Sequence, residues 1–180
     1  DRGVTWRVAG NIPRPNDKAL LLEGTVVQLL GTPGNRIFQL FRTNQGYIYS
    51  CFSINGGISW TMPRPINLPN PGSKVSLALL GGSILALGYN HHEPMRGGVR
   101  SKLRVAVSAD EGNTWHSVAR LEEKLLPHTK FHYPTLLALP HEEPAKHREW
   151  RGGDGMSPGG TYRAPLLAPP PACRLGVVWT

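Results

Sequence analysis

The sequence predicts an all-β fold built of propeller blades, each of four antiparallel strands. Three observations predict it. An octet rich in turn formers recurs three times along the chain. The segments between its copies read as short strands. Gly and Pro number 21 and 17 in 180 residues, too many for a helical bundle and too aperiodic for collagen.

The octet is the strongest of the three. Residues 108–115 read Ser-Ala-Asp-Glu-Gly-Asn-Thr-Trp and residues 53–60 read Ser-Ile-Asn-Gly-Gly-Ile-Ser-Trp. Residues 1–6, Asp-Arg-Gly-Val-Thr-Trp, repeat the end of the same pattern. Asp1, Asn55 and Asp110 are therefore 54 and 55 residues apart, a period that signals a repeat architecture. The chemistry is that of a tight turn. The Asp or Asn side chain caps it, and Gly3, Gly57 and Gly112 supply a positive φ. The hydroxyls of Ser53 and Ser108 tie it to its neighbours. Trp6, Trp60 and Trp115 are then expected to bury a ring at the start of the next strand.

The strands follow in order. In the first full repeat they are expected at 25–30, 36–42, 47–53 and 58–62. Arg36-Ile-Phe-Gln-Leu-Phe-Arg alternates as a half-buried strand does. In the second they are expected at 75–80, 83–89, 102–108 and 114–118, with Gly81-Gly82 as a hairpin between two apolar runs. A further strand begins near Tyr133, and 121–126 offers at most one helical turn. The octets fall between third and fourth strands. The chain thus holds a last strand, two full blades and the start of another, about two and a half blades of a larger propeller.

Residues 1–139 form this partial propeller. The tail, 140–180, differs in kind: 13 of its 41 residues are Gly or Pro, with runs such as GGDG and APPPA. It is expected to be mostly disordered, or not native to the fold.

The chain carries 20 Lys and Arg against 12 Asp and Glu, a formal charge of +8. The excess is scattered, so no nucleic-acid footprint is expected. A small anionic substrate would need only two or three of these arginines, and composition alone does not choose between the two partners. No apolar run reaches the roughly 18 residues of a membrane helix. Two cysteines exclude a disulfide framework and a four-cysteine zinc site, and Cys51 reads as a small buried hydrophobe.

With these residues in place, the chain resembles the sialidase superfamily, whose octet is the Asp-box or BNR repeat. The stretches Asn70-Pro-Gly-Ser73, Leu87-Gly-Tyr-Asn-His91, Arg100-Ser-Lys-Leu-Arg-Val-Ala-Val-Ser-Ala-Asp110 and Phe131-His-Tyr-Pro134 carry the likeness over residues 1–139. The resemblance implies a six-bladed propeller when complete, with structural octets on the face away from the active site. It also implies four site residues. Glu23 and Tyr133 take the catalytic roles of base and nucleophile. Arg42 and Arg100 take two places in a three-arginine cluster that grips the substrate carboxylate. Arg96 competes with Arg100. The third arginine and an acid/base aspartate belong to upstream blades, the expected partners of this one.

The physics suits these roles. Guanidiniums hold a carboxylate bidentately and stay charged. A tyrosine nucleophile is not repelled by the anionic sugar as a carboxylate would be. The function implied is a sialidase-like glycoside hydrolase, an exo-α-sialidase releasing terminal sialic acids from sialylated or other acidic glycans. The alternative is a non-catalytic propeller that binds carbohydrate or protein. No cofactor and no metal are expected: His91, His92, His128 and His132 lack a carboxylate or thiol at ligand spacing. Asn90 and Gln28 are further candidates for hydrogen bonds to a sugar.

Overall fold

The computed structural model of the chain describes residues 2–30, 36–92, 100–122, 130–140 and 173–178. Among these the secondary structure is ten β-strands in three antiparallel sheets, with no helix. The first sheet is a meander of β1 (Leu21–Gln28), β2 (Ile37–Thr43), β3 (Tyr47–Ser53) and β4 (Arg64–Pro69). The second repeats it with β5 (Ser76–Gly81), β6 (Ile84–Asn90), β7 (Leu103–Ser108) and β8 (His116–Glu122). The third pairs β9 (Thr135–Pro140) with β10 (Cys173–Val178).

The first strands of the three sheets, β1, β5 and β9, lie side by side. Two hydrogen bonds stitch them. Leu77 N–H donates to Thr25 Oγ1 at 3.1 Å, and Leu136 N–H to Ser76 Oγ at 3.0 Å. The sheets stack face to face, each first strand innermost, as propeller blades do. Phe38, Leu40, Ile48 and Leu68 of the first sheet meet Leu77, Leu85, Leu87 and Trp115 of the second. Leu103, Val105 and Leu121 of the second meet Leu136 of the third. Burying one such side chain contributes about 1.5–3 kcal/mol, against about 1 kcal/mol for a typical hydrogen bond. Stacking, more than the two stitches, therefore holds the blades together. An ion pair between Arg36 and Glu111 spans the first two sheets, and Arg36 also lies 4.7 Å over the Phe52 ring.

The octets join β3 to β4 and β7 to β8. Ser53 Oγ accepts from Gly57 N–H and Ser108 Oγ from Gly112 N–H, both at 2.8 Å. Asn55 Oδ1 accepts from Ser59 N–H at 2.9 Å, and Asp110 Oδ1 from Thr114 N–H at 2.8 Å. Thr114 Oγ1 donates to Asp110 Oδ2 at 2.6 Å. These bonds, those from Thr114 foremost, hold the Asp110 carboxyl down at about 2. In all three copies the tryptophan Nε1–H donates to the glycine carbonyl three residues back, at 2.9–3.0 Å. Gly3, Gly57 and Gly112 have φ of +85°, +88° and +90°. At Gly112 a Cβ would sit 2.5 Å from the Phe38 ring, so packing as well as backbone requires glycine there. Asp1 lies outside the described residues.

Four expectations are corrected. The fourth strand of the first sheet is Arg64–Pro69, not 58–62. Thr61 instead pins the turn, its N–H donating to Phe52 O and its Oγ1 accepting from Phe52 N–H, and the strand begins beyond Pro63. Two prolines are tolerated in β4 because it is an edge strand. No strand precedes Leu21 among the described residues. Of the three tryptophans only Trp115 is buried, at 4% exposure; Trp60 is half-buried and Trp6 is 90% exposed. Trp115 stacks on Phe38 of the sheet before it, centroids 6.5 Å apart. The described residues form no sheet ahead of the first to do the same for Trp6 or Trp60. Finally, the tail is not wholly outside the fold. Residues 173–178 add a strand to β9, and Leu175 packs against the second core cluster. The apolar end of the tail finds an unpaired edge and a greasy face together. The rest of the tail, 141–172 and 179–180, lies outside the described residues, as do 123–126.

Cys51 is 1% exposed, and burial pushes its thiol up to about 12. It is an inert core residue.

Candidate active site

Strand register defines two ends of the sheets. Ile37 pairs with Ser53 and Leu85 with Ser108, so β2 and β6 start at the octet end. They finish at the other end, where Arg42 pairs with Leu22 and Asn90 with Leu103. Entries into β1, β5 and β9 and the β2–β3 and β6–β7 connections all gather at this second end.

Glu23 is placed there by a bulge. The register of β1 on β2 shifts between Leu22 and Thr25, and Glu23 takes φ +44°. Gly24 lets the chain press onto β2: a Cβ there would come within 2.4 Å of Gln39 Nε2. The bulge turns the Glu23 side chain out of the pleat. Its Oε1 accepts a hydrogen bond from the Tyr133 hydroxyl at 3.1 Å, and its Oε2 accepts one from Arg42 Nη1 at 2.9 Å. Partial burial pushes the Glu23 carboxyl up. The bonds from Arg42 and Tyr133 and the charges of Arg42 and Arg100 outweigh this and hold it below its ordinary value. Glu23 is therefore ionised at neutral pH.

Tyr133 also has a left-handed backbone, φ +58°. Such a conformation costs a non-glycine residue of order 1 kcal/mol and persists only where the surroundings impose it. Here they do. Phe131 N–H donates to Arg100 O at 2.8 Å, tying the segment before Tyr133 to the segment that carries Arg100. Asn90 Nδ2 donates to Phe131 O at 2.7 Å and to Ser101 O at 3.1 Å. Ser73 Oγ donates to Asn90 Oδ1 at 2.6 Å. On the far side Pro134 is buried against Gly88, where a Cβ would crowd it at 3.2 Å.

Arg100 lies with its Cζ 5.7 Å from the Tyr133 ring centroid. Its Nη2 makes only a long contact, 3.5 Å, to Gly72 O. His132 packs edge-on to Tyr133 at 5.1 Å. Burial, then the charges of Arg100 and Lys130, push its imidazole below its ordinary value, so it is neutral beside the phenol at pH 7.

The four residues singled out in the sequence thus meet at one end of the sheets, although they are spread from position 23 to position 133. Other candidates fare differently. Asn90 is fully buried and its amide is committed to the scaffold, so it is not available to a sugar. Gln28 pairs with Ile37 at the octet end, away from Glu23. His91 is bonded through Nδ1 to the Tyr89 hydroxyl at 2.7 Å. Among the described residues no three His, Cys, Asp or Glu side chains gather as metal ligands. Arg96 and His128 lie outside the described residues. One residue escaped the sequence reading: the Lys74 ammonium lies 5.8 Å from the Tyr133 ring centroid. The signal for it was positional, since Lys74 precedes β5 as Glu23 lies at the start of β1 and Tyr133 precedes β9.

This architecture is shared with solved enzymes. The NanB sialidase from Streptococcus pneumoniae superposes with a TM-score of 0.54 at 23% identity, over 76% of this chain and 21% of that one. The Hadza microbial sialidase Hz136 superposes at 0.55 and 19% identity, over 76% and 25%. An α-L-arabinofuranosidase from Fusarium graminearum, Arb93A, gives 0.49 at 17% identity, over 65% and 37%. At such identities the likeness is one of fold, and this chain spans about a fifth to a quarter of the two sialidases. No curated protein matches the chain. The BNR repeat-like domain matches residues 1–143. With its octet turns and its stacked four-stranded sheets, the chain belongs to the BNR repeat-like family, and its fold is similar to that of the two sialidases.

Proposed function

We propose that the chain supplies the nucleophile and base of a sialidase-like glycoside hydrolase that releases terminal sialic acids from glycoconjugates. The observation that carries this reading is the hydrogen bond from the Tyr133 hydroxyl to an ionised Glu23, made by two residues 110 positions apart and each held at a positive φ. Glu23 accepts the phenol proton as the Tyr133 oxygen attacks the anomeric carbon; the glycosidic C–O bond breaks, its oxygen taking a proton from the acid/base aspartate, and water then cleaves the covalent glycosyl–tyrosine intermediate to release the sugar and restore Tyr133. A neutral tyrosine approaches the anionic sugar without the repulsion a carboxylate would meet. Arg42 and Arg100 bind the sugar's carboxylate. As that carboxylate draws Arg42 away, Glu23 loses a hydrogen bond that holds its acidity up and becomes the stronger base.

The acid/base aspartate and a third arginine come from further blades of the same propeller. The octets serve as structural Asp-boxes. The reading is tested by hydrolysis of an aryl sialoside by the protein that contains this chain. Tyr133→Phe is expected to remove most turnover while leaving sugar binding, and Arg42→Ala or Arg100→Ala to weaken binding. One observation favours the alternative, a non-catalytic propeller that binds carbohydrate or protein: Arg42 is already engaged by Glu23. Glycan binding with no hydrolysis by the unsubstituted protein would favour that alternative.

A further inference from the structure

We propose that Lys74 is a third cation from this chain that, with Arg100, holds the substrate carboxylate beside Tyr133. The inference rests on the reading just given and names a residue that reading did not include.

Three observations carry it. The first is position. The repeat places equivalent backbone points at the entries to β1, β5 and β9, and Glu23, Lys74 and Tyr133 occupy them. The second is proximity. Lys74 Nζ and Arg100 Cζ approach the same Tyr133 ring, at 5.8 and 5.7 Å. A carboxylate on the carbon that Tyr133 attacks must lie beside that ring. The third is charge. Arg42 is paired with Glu23, whereas Lys74 and Arg100 form no salt bridge among the described residues, Arg100 acting on Glu23 only at longer range. Two cations beside one phenol can together bind an anion.

The turn that carries Lys74 is rigid. Asn70 Oδ1 accepts from Gly72 N–H at 2.8 Å and Ser73 N–H at 3.0 Å, and Asn70 Nδ2 donates to Ser73 O at 2.8 Å. Gly72 takes φ +75° within it. Ser73 is bonded onward to Asn90, the same side chain that fixes Phe131. The Lys74 backbone and the Tyr133 segment are thus set by one network, so the ammonium starts close to where it is needed.

The test uses methyl α-sialoside and its methyl ester as probes, with dissociation constants measured by titration calorimetry on the protein that contains this chain, unsubstituted and as Lys74→Met, Lys74→Arg and Arg100→Ala. Loss of one charge-assisted contact is expected to weaken the acid about ten-fold in Lys74→Met, with Lys74→Arg close to the unsubstituted protein and the ester unchanged. Matching circular dichroism and melting of the variants guard against unfolding. If the acid binds Lys74→Met as tightly as the unsubstituted protein while Arg100→Ala weakens it, the proposal for Lys74 is wrong and the sialidase-like reading stands. Equal weakening of acid and ester would also overturn it, since that marks a packing effect. An acid that does not bind the unsubstituted protein overturns both.

Discussion

The two ends of the sheets are built from the same backbone repeat and differ in what the repeat carries. At the octet end the same chemistry recurs: Ser53 accepts from Gly57 as Ser108 does from Gly112, and Asn55 accepts from Ser59 as Asp110 does from Thr114. At the other end, equivalent entries carry Glu23, Lys74 and Tyr133, three different chemistries. The octets are satisfied within themselves. The site end keeps a carboxylate–phenol pair with two cations, Lys74 and Arg100, beside the phenol ring. Repetition marks what every blade needs in order to fold, and divergence at equivalent positions marks what the assembled molecule does with them.

The comparison breaks most visibly at Gly112. Gly112→Ala places a Cβ into the Phe38 ring and an alanine at φ +90°. It is expected to lower stability by about 3 kcal/mol or more in urea denaturation. Gly72→Ala, at φ +75° but with open space around the new atom, is expected to cost only about 1 kcal/mol. Next in size is Asn90→Ala, which strands the buried Ser73 hydroxyl and the Ser101 and Phe131 carbonyls. A loss of about 2–3 kcal/mol is expected. It should come with weaker acid binding, because the segments bearing Arg100 and Tyr133 both hang on that amide.

How far the sequence could be read follows the same division. The octets were legible because they repeat, and the register of Ile37 on Ser53 and Leu85 on Ser108 then follows from the turns. Glu23, Arg42, Arg100 and Tyr133 do not repeat, and only the resemblance to sialidases pointed to them. Lys74 was passed over because that resemblance holds no lysine there; the three strand entries had to be compared with one another. The fourth strand of the first sheet was misplaced because Ile58 to Met62 looks apolar enough to pair. Prolines at 63, 65 and 69 disfavour a strand, yet an edge strand tolerates two of them. Burial of Trp6 and Trp60 was beyond reach locally, since it depends on a neighbouring blade. The contribution of Cys173–Val178 was hidden by the composition around it.

Two smaller effects separate the ends by pH. Glu23 has its acidity raised in the folded site, so its basic form is full above the ordinary carboxylate range near 4.5. The acid limb of sialoside kcat/KM is expected below that value. Arg42→Ala removes a bond that lowers Glu23 and should move the limb to higher pH. At the octet end, Asp110 titrates at about 2 in the folded chain against 3.8 for an unperturbed aspartate. The stability it lends is full above that unfolded value and is lost as pH falls through about 2. A thermal-melting series from pH 5 to 2 should show a drop that Asp110→Asn flattens, with sialoside binding at neutral pH unchanged.

The central claim, that Tyr133 with Glu23 is a nucleophile and base, is tested most directly by labelling the protein that contains this chain with a 3-fluorosialosyl fluoride. Fluoride departs without a proton, so the reaction does not require the aspartate expected from another blade. The Tyr133 oxygen forms a bond to the anomeric carbon, the carbon–fluorine bond there breaks, and Glu23 takes the phenol proton. Peptide mass spectrometry is expected to find one fluorosialyl group on Tyr133, absent from Tyr133→Phe and much slower to form in Glu23→Gln. No adduct, or an adduct elsewhere that survives Tyr133→Phe, would contradict the account.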